Sequence, residues 1–165
     1  MIRAGIGYDV HSFSKDRRLI IGGVEIPFGM GLSGHSDADV LLHAICDALL
    51  GAAGEGDIGR HFPNTDPAYK DISSLELLKR CVKTIDEKGY SIVNIDSVII
   101  AEAPKFAPYV DKMIDKISDA AKISKGAINI KATTNEKMGF IGKGEGIAAH
   151  AVCILQKMTY TNGNK

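Results

Sequence analysis

Alternating hydrophobic and polar positions predict the strands of this chain. Residues 2–10 form one such run, and two short apolar runs around Gly22 and Gly23 predict a hairpin at residues 19–27. Three further strands are predicted later in the chain, at residues 92–101, 127–134 and 147–156. The pattern therefore indicates four strands that can share one sheet, and a separate small hairpin near the N-terminus.

Apolar positions spaced three and four residues apart predict three helices between these strands. Ser36 is expected to cap the first helix, with Asp39 completing a capping box, and the glycines at 51–56 to end it. The second helix is expected to begin at Ser73 or Ser74. The apolar stripes of the three helices are, in order, Val40, Leu41, Ala44, Ile45, Ala48 and Leu49; Leu75, Leu78, Val82 and Ile85; and Val110, Met113, Ile114, Ile117 and Ala121.

This order of elements predicts an α+β fold: a single domain over residues 1–157, followed by a polar tail at 158–165. We expect a four-stranded mixed or antiparallel sheet with helices on one face. Residues 92–101 and 147–155 are apolar on both faces of their strands, which favours a homo-oligomer whose other subunits cover the open face. Residues 54–72 show no clear period, and a loop of that length is usually functional or mobile.

Composition narrows the classes of function. The chain has 165 residues, 45% hydrophobic and 24% charged, which fits one globular domain. Because 20 Lys and Arg balance 20 Asp and Glu, no overall field attracts nucleic acid or an anionic membrane. No stretch reaches the roughly 20 apolar residues that span a bilayer. Three widely spaced cysteines lie in apolar patterns, as expected of buried reduced thiols in a cytoplasmic protein.

One candidate site combines a carboxylate with two imidazoles. Asp9 and His11 are two residues apart at the end of the first predicted strand, so their side chains share one face. His43 follows Asp39 by one helical turn, and a helix packed beside the strand end would bring it to the same place. Three such ligands with a fourth position open are typical of catalytic zinc. A turn cap and a hydrogen-bonded helix histidine would explain the same residues, so spacing alone leaves both interpretations open.

Two further segments are suited to phosphate. His35 and Ser36 precede the first helix, where backbone amides and the positive end of the helix dipole favour an anion. Capping alone would explain Ser36 but does not require His35. Between the last two strands, Thr133 and Thr134 can donate to phosphate oxygens and Glu136 can hold a hard cation such as magnesium. An ordinary Gly-rich hairpin would have a similar composition.

Two loops carry groups that could contact the rest of a nucleotide or a sugar. Lys105, in the segment AEAPKFAP, could bind a base edge or a phosphate. Asp57, Gly59, Asn64 and Asp66 could hydrogen-bond sugar hydroxyls, although residues of these types more often satisfy turns. By themselves, these loops do not identify a ligand.

Taken together, the motifs resemble one enzyme family. The resemblance covers about residues 3–156 and is carried by GYDVH, LIIGG with IPF, HSDADVLLHAICDALLGAAGEGDIG, FPNTDP, APK and KATTNEKMGFIGKGEGIAAHAV. These segments are similar to the 2-C-methyl-D-erythritol 2,4-cyclodiphosphate synthases of the non-mevalonate isoprenoid pathway. The resemblance implies that 4-diphosphocytidyl-2-C-methyl-D-erythritol 2-phosphate is cyclised with release of CMP. Since its 2-phosphate attacks its own β-phosphorus, the protein must fold the substrate and neutralise charge rather than supply a nucleophile.

The resemblance also implies roles for individual residues. The family's zinc ligands are matched by Asp9, His11 and His43. Glu136 matches the ligand of a second divalent cation, magnesium or manganese, while His35 and Thr134 match a pair that stabilises the transition state. The positions that match substrate contacts are Asp9, His11, His35, Ser36, Asp57, Ile58, Gly59, Phe62, Pro63, Asn64, Thr65, Asp66, Ala101, Glu102, Ala103, Pro104, Lys105, Phe106, Ala107, Thr133, Thr134, Asn135, Glu136, Phe140 and Lys143.

The same resemblance implies the partners. We expect a homotrimer with active sites at subunit interfaces, a small substrate linked to cytidine diphosphate, and neither nucleic acid nor membrane as a partner. With no transit segment before the first strand, a bacterial cytoplasmic enzyme is expected. A chain of 165 residues is expected to carry this activity alone, without a fused cytidylyltransferase domain.

Three positions depart from the commonest family pattern. Lys143 stands where many members have Arg, which keeps the charge but loses the bidentate fork. His150 occupies a position that is often Glu, near the trimer axis where some members bind isoprenoid diphosphates. Ala38 replaces a more usual Gly, which is a mild steric change. The phosphate contact that the resemblance implies at Lys143 is therefore expected to be looser. The departure at His150 weakens the expectation of a regulatory site at the trimer axis.

Two other functions compete with the synthase. A zinc-dependent phosphohydrolase would use the same three ligands, since an open position on zinc also activates water. A non-catalytic trimer that binds nucleotides or isoprenoid diphosphates would keep the phosphate-binding loops without needing all three metal ligands. The intact set of Asp9, His11 and His43 favours an enzyme, and the identity of the product separates synthase from hydrolase.

Overall fold

The computed structural model describes residues 1–158, so all of the predicted polar tail except Met158 lies outside the described residues. Its elements form an α+β fold, with four strands in succession before the first helix. In chain order they are β1 (Ile2–Ser14), β2 (Leu19–Ile21), β3 (Val24–Ile26), β4 (Gly31–Leu32), α1 (Val40–Ala53), α2 (Ile58–His61), α3 (Ser74–Glu87), β5 (Tyr90–Ile100), α4 (Val110–Ala121), β6 (Ile128–Thr133), α5 (Gly139–Gly142) and β7 (Gly146–Lys157).

The main sheet is mixed, as predicted, and has the strand order β4-β1-β7-β5-β6. Strands β5 and β6 are parallel, and the other neighbours are antiparallel. The predicted count of four strands is one short, because β4 adds a two-residue edge strand beside β1. Two residues are too few to show a hydrophobic period. The predicted hairpin is confirmed as the separate pair β2 and β3.

Helix α1 lies between the sheet and α3, and most of its residues are therefore buried. It approaches β1 so closely that side chains there are excluded. A Cβ at Gly5 would be 1.9 Å from the carbonyl oxygen of Ala48, and one at Gly7 would be 1.9 Å from that of Ala44. The small residues of β1 thus allow α1 to pack directly beneath the strand, and the residues that follow Gly7 on the same face point toward the start of the helix.

The expected cap of α1 was wrong by three residues. The helix begins at Val40, and Asp39 is its N-cap, because the Asp39 carboxylate accepts a hydrogen bond from the Leu42 amide at 3.1 Å. Ser36 lies outside the helix, and its hydroxyl accepts from the Ala38 amide at 3.2 Å. The second helix begins where predicted, with Ser73 as its N-cap. On α3, Leu77 and Cys81 are buried, whereas the predicted core residue Leu75 is only half-buried.

Residues 54–72 contain two short elements rather than one irregular loop. Asp57 is the N-cap of α2, and Asp66 is the N-cap of a single 3-10 turn at Pro67–Tyr69. Elements of three or four residues leave no period that a sequence pattern could reveal. The segment is held close to α1, because Asp47 of that helix accepts a hydrogen bond from the Ile58 amide at 2.7 Å.

The face of the sheet opposite α1 is apolar and open in the single chain. Ile6 is 72% exposed, and Tyr8, Val10 and Val152 are also exposed. The ring of Tyr8 packs against that of His150 with 4.6 Å between their centroids. A row of exposed aliphatic and aromatic side chains of this kind is characteristic of an interaction surface.

Candidate metal and substrate site

Asp9, His11 and His43, together called the metal cluster, come together where β1 passes the first turn of α1. Asp9 and His11 continue the helix-facing side of β1 that begins at Gly5 and Gly7. The Asp9 Oδ2 atom lies 2.8 Å from His11 Nε2 and 2.9 Å from His43 Nδ1. The two ring nitrogens are 3.2 Å apart. One ion could contact all three atoms at once, as the prediction from spacing required.

The charges of the metal cluster reinforce one another. Burial alone would raise the pKa of Asp9, but hydrogen bonds and attraction to His11 and His43 outweigh it and hold that pKa well below its usual range. Burial would lower the pKa of His11, and its hydrogen bond to Asp9 reverses the direction and raises it. The carboxylate therefore stays ionised in this partly buried position.

The outer nitrogen of His11 is fixed by the backbone. His11 Nδ1 is 2.7 Å from the carbonyl oxygen of Ser33. Because a carbonyl can only accept, Nδ1 carries the hydrogen of this bond, and Nε2 is left to present a lone pair to the cluster. A ring held at both ends in this way is suited to metal ligation.

The metal cluster forms one wall of a cleft of about 230 Å³. His35 and Ser36 line it on the side that precedes α1, and Asp47 lines it from within the helix. Burial raises the pKa of Asp47, with Asp57 and Asp9 adding to the effect. The segment after α1 adds Ile58, Gly59, Phe62, Asn64, Tyr69 and Ile72 to the lining.

Other residues predicted to contact substrate in the loop have local partners. The Asp57 carboxylate accepts from the Arg60 amide at 3.0 Å, and the Asp66 carboxylate accepts from the Ala68 amide at 2.9 Å. Pro63 and Thr65 are exposed and do not line the cleft. The structure therefore brings Ile58, Gly59, Phe62 and Asn64 to the metal cluster and shows the two carboxylates as caps.

A second pocket, of about 260 Å³, lies at the end of β6 and is called the β6 pocket. Its lining includes six of the seven residues predicted in the segment 101–107; Ala103 is the exception. Phe106 is buried beneath it, and Lys105 is exposed at its edge. The β6 pocket is lined by Ala101, Glu102, Pro104, Lys105, Phe106, Ala107, Ala132, Thr133 and Thr134.

Residues 133–137 are called the phosphate loop. The first two of them line the β6 pocket. Thr134 donates from its hydroxyl to Glu136 at 2.9 Å, so two of the predicted functional side chains lie together. Glu136 and Lys137 have positive φ angles of 51° and 60°, which residues other than glycine rarely adopt. Phe140 and Lys143 follow on and after α5, and both are exposed.

Glu102 supports the phosphate loop. One of its carboxylate oxygens accepts from the amide of Asn135 at 2.9 Å and from that of Lys137 at 3.2 Å. These bonds fix a left-handed stretch of backbone that would otherwise be costly. Sequence reasoning placed Glu102 among substrate contacts, and the structure shows that its side chain is engaged in holding the loop.

Comparison with known proteins decides the family. The profile of the YgbB family matches residues 2–156. The chain belongs to the YgbB family. A 2-C-methyl-D-erythritol 2,4-cyclodiphosphate synthase of Syntrophotalea carbinolica is 56% identical over 161 residues, which cover 98% of both chains. The resemblance stated from the motifs is thus confirmed.

Solved structures agree with this YgbB-family fold. The CDP complex of IspF from Plasmodium falciparum is 35% identical, with a TM-score of 0.84, and the match covers 96% of this chain and 97% of that one. The bifunctional IspDF of Campylobacter jejuni is 42% identical, with a TM-score of 0.94. The match covers 98% of this chain but 44% of the Campylobacter chain.

In this YgbB-family chain, the two regions predicted from the sequence to bind phosphate line separate pockets. Asp9 pairs with Ala149 of β7, Ala149 pairs with Ile99 of β5, and Ile99 pairs with Ala132 of β6. Three strand spacings separate Asp9 from Ala132, which is about 14 Å. His35 lines the metal cleft and Thr134 lines the β6 pocket, and the two pockets share no residue.

Sequence reasoning missed two polar residues at this site, Asp37 and Ser74. Ser74 is fully buried at the first position of α3, and its hydroxyl lies 3.0 Å from His43 Nε2. It was considered only as a possible start of the helix. A contact between residues that are 31 positions apart leaves no local signal in the sequence.

Within the described residues, no helix combines the length and apolar character needed to cross a membrane.

Proposed function

We propose that the protein converts 4-diphosphocytidyl-2-C-methyl-D-erythritol 2-phosphate to 2-C-methyl-D-erythritol 2,4-cyclodiphosphate and CMP, as a phosphorus–oxygen lyase. The observation that carries this proposal is the intact metal cluster beside a cleft, in a chain whose closely similar relatives bear the name of that synthase. The β6 pocket gives further support, because it offers backbone groups and a buried aromatic ring to a nucleotide.

The metal cluster fits zinc. Zinc bonds of about 2.0–2.1 Å in a tetrahedron place neighbouring ligand atoms about 3.3 Å apart. The three donor atoms here are 2.8–3.2 Å from one another, close to that value. Asp9, His11 and His43 would hold the ion, which when bound polarises a phosphate oxygen and leaves a fourth position for substrate.

A second divalent cation, magnesium or manganese, is assigned to Glu136. Magnesium is commonly held by one or two carboxylates together with substrate phosphates, so a single exposed carboxylate is a sufficient protein contribution. The phosphate loop supports this assignment, since it places Glu136 beside the Thr134 hydroxyl. Glu136 and the nucleotide phosphates would then share the cation.

The chain's own residues would act by positioning and by stabilising charge. An oxygen of the 2-phosphate forms a bond to the β-phosphorus, and the bond from that phosphorus to the bridging oxygen breaks, so that CMP leaves with the electron pair. His35 and Thr134 would donate to the phosphoryl oxygens on which charge develops. Because both reacting groups belong to one molecule, no enzymic nucleophile is required.

The substrate would extend along both pockets. We assign the methylerythritol and sugar portions to the metal cleft and its loop, and the cytidine to the β6 pocket with Lys105 at its edge. Phe140 and Lys143 would make further contacts from α5 and the turn after it. The remaining proposed contacts are Ser36, Asp57, Ile58, Gly59, Phe62, Pro63, Asn64, Thr65, Asp66, Ala101, Glu102, Ala103, Pro104, Phe106, Ala107, Thr133 and Asn135.

We assign the assembly to a homotrimer with the active site shared between chains. Asp9 and Ala132, the strand positions beside these two regions, are three strand spacings or about 14 Å apart, and the two pockets share no residue, which favours a site that combines His35 of one chain with Thr134 of another. The open apolar face of β1 and β7 offers the surface through which copies would join. Three free, buried cysteines support a location in a reducing cytoplasm.

Phosphorus NMR of the purified protein with this substrate, zinc and magnesium tests the proposal. The expected products are the cyclic diphosphate and CMP, lost after chelation and restored by added metal. Inorganic phosphate or a linear product would instead indicate that water attacks, as in a phosphohydrolase. An unchanged spectrum with bound substrate would indicate a binding protein.

A further inference from the structure

The outer nitrogen of His43 faces two hydroxyl groups. His43 Nε2 is 3.0 Å from Ser74 Oγ and 3.1 Å from Ser36 Oγ. A neutral imidazole carries a single N–H, on one nitrogen or the other. To offer its Nδ1 lone pair to a metal, His43 must carry that hydrogen on Nε2, so the two hydroxyls are in a position to decide whether the ring can act as a ligand.

The Ser74 hydroxyl can only accept from His43, because its own hydrogen is already used. It donates to the Asp37 Oδ1 atom in a short hydrogen bond. The other carboxylate oxygen, Oδ2, accepts from the Ser74 amide at 2.9 Å. An ionised carboxylate has no hydrogen to give, so the direction of every bond in the chain from Asp37 through Ser74 to His43 is determined. The Ser74 oxygen is therefore left as the acceptor for His43 Nε2–H.

Both residues are fixed in place by neighbouring elements. Ser74 is fully buried at the start of α3. The Asp37 amide donates to the carbonyl of Ile72 at 3.1 Å, and Asp37 Oδ1 also lies 3.3 Å from the amide of Asp39, the cap of α1. The hydrogen-bond chain thus joins the beginnings of α1 and α3 directly behind the ring of His43.

We propose that Asp37 and Ser74 are positioning residues that hold His43 in the tautomer required for metal binding. The inference rests on the zinc site of the proposed function. His11 receives the equivalent support from a backbone carbonyl, which no side-chain substitution removes, whereas the support of His43 depends on two side chains.

Asp37→Asn is the sharpest test, because it preserves shape while reversing the direction of the chain. With the amide oxygen on the Ser74 N–H, the new NH2 group points at the Ser74 hydroxyl and takes its lone pair. The Ser74 hydrogen then turns toward His43 Nε2 and favours the tautomer with hydrogen on Nδ1. We expect zinc affinity to fall about 10- to 100-fold, measured on the metal-free full-length protein by competition with a chromophoric chelator.

Two further variants separate this effect from general damage. Ser74→Ala removes the acceptor but leaves Ser36, so its zinc affinity should fall by less than that of Asp37→Asn. Asp96→Asn makes the same chemical change at an exposed carboxylate on β5 that bonds to Asn129 and Lys131, and it should bind zinc like the unaltered protein. Thermal unfolding of each metal-free variant shows whether it is folded.

NMR of the zinc-saturated, 15N-labelled protein gives a readout that a merely structural role would not change. The His43 Nε2–H proton should be visible and slow to exchange in the unaltered protein, and should exchange faster in Asp37→Asn. Unchanged exchange and unchanged zinc affinity in a folded Asp37→Asn protein would overturn the inference. If the unaltered protein binds no zinc, the proposed function fails instead, so the two failures are distinguishable.

Discussion

The metal cluster and the phosphate loop contrast in how completely one chain builds them. In the metal cluster the side chains of Asp9, His11 and His43 are only 25%, 18% and 13% exposed. Each ring has a hydrogen-bond partner behind it as well as a neighbour in front. In the phosphate loop, Thr134 and Glu136 are exposed, and each has the other as its side-chain partner.

This difference indicates that the two regions differ in how far they are organised before substrate binds. The metal cluster is organised by the packing of α1 under β1, so it can hold an ion without substrate. The phosphate loop has a supported backbone but unsupported side chains, and in the proposed trimer it would act only when substrate and a second chain are present.

The largest effect is expected from His43→Ala, which removes one of three ligands from the organised region. Zinc content should fall to background, and kcat should fall about a thousandfold or more, because the charge on the attacked phosphate is no longer neutralised. Metal analysis together with single-turnover assays checks both. A zinc-free His43→Ala protein with normal turnover would remove the metal cluster from the mechanism.

The next largest effect tests whether the two regions must come from different chains. Ile6→Glu places a charge on the open apolar face, and burying it at an interface without a partner is costly. The expected result is a folded monomer with no synthase activity, measured by light scattering and assay. Lys83→Glu, at a position that is 77% exposed on α3, is the control and should leave the assembly unchanged.

A moderate effect is expected from Glu102→Ala, which withdraws the acceptor for two amides of the phosphate loop. Loss of these bonds should reduce kcat/KM about tenfold, since a backbone hydrogen bond to a charged group is worth about 1.5–3 kcal/mol. Glu102→Gln keeps an oxygen that can accept from both amides, so its loss should be smaller. Equal losses in the two variants would show that Glu102 acts on substrate by its charge and not on the loop.

The smallest effect is expected at Lys143. Lys143→Arg supplies a planar fork that can form two hydrogen bonds to one phosphate. We expect KM to fall by about two- to fivefold with little change in kcat, since the substitution improves binding and leaves the reacting atoms as they are. A steady-state comparison of the two proteins measures this, and a higher KM would show that Lys143 does not face a phosphate.

The parts of the fold that depend on local pattern could be predicted from the sequence. The period of two placed Asp9 and His11 on one face of β1, and the helical period placed His43 on α1. The N-cap of α1 was harder to predict, because Ser36 and Asp39 both have side chains suited to capping. Only the structure shows which of them precedes the first helical residue. β4 and α2 were missed because two and four residues are too few for a hydrophobic pattern to repeat.

The supporting contacts of the candidate site could not be predicted. Ser74 and Asp37 meet through the packing of α3 on α1, and Glu102 reaches residues more than 30 positions away in the phosphate loop. Such contacts depend on how helices and strands are arranged, and no spacing in the sequence records that arrangement. The separation of His35 from Thr134 likewise became visible only with the order of the strands.

Mixing two inactive variants tests the central claim, that one active site draws its two regions from different chains. His43→Ala disrupts the metal cluster and Thr134→Ala removes the proposed catalytic hydroxyl, so each alone should be inactive. In a trimer containing both, one of the three interfaces combines an intact metal cluster with an intact phosphate loop. Co-expression in equal amounts should therefore restore about one quarter of the activity, since about three in four trimers are mixed. Absence of any recovery in demonstrated mixed trimers would contradict the claim.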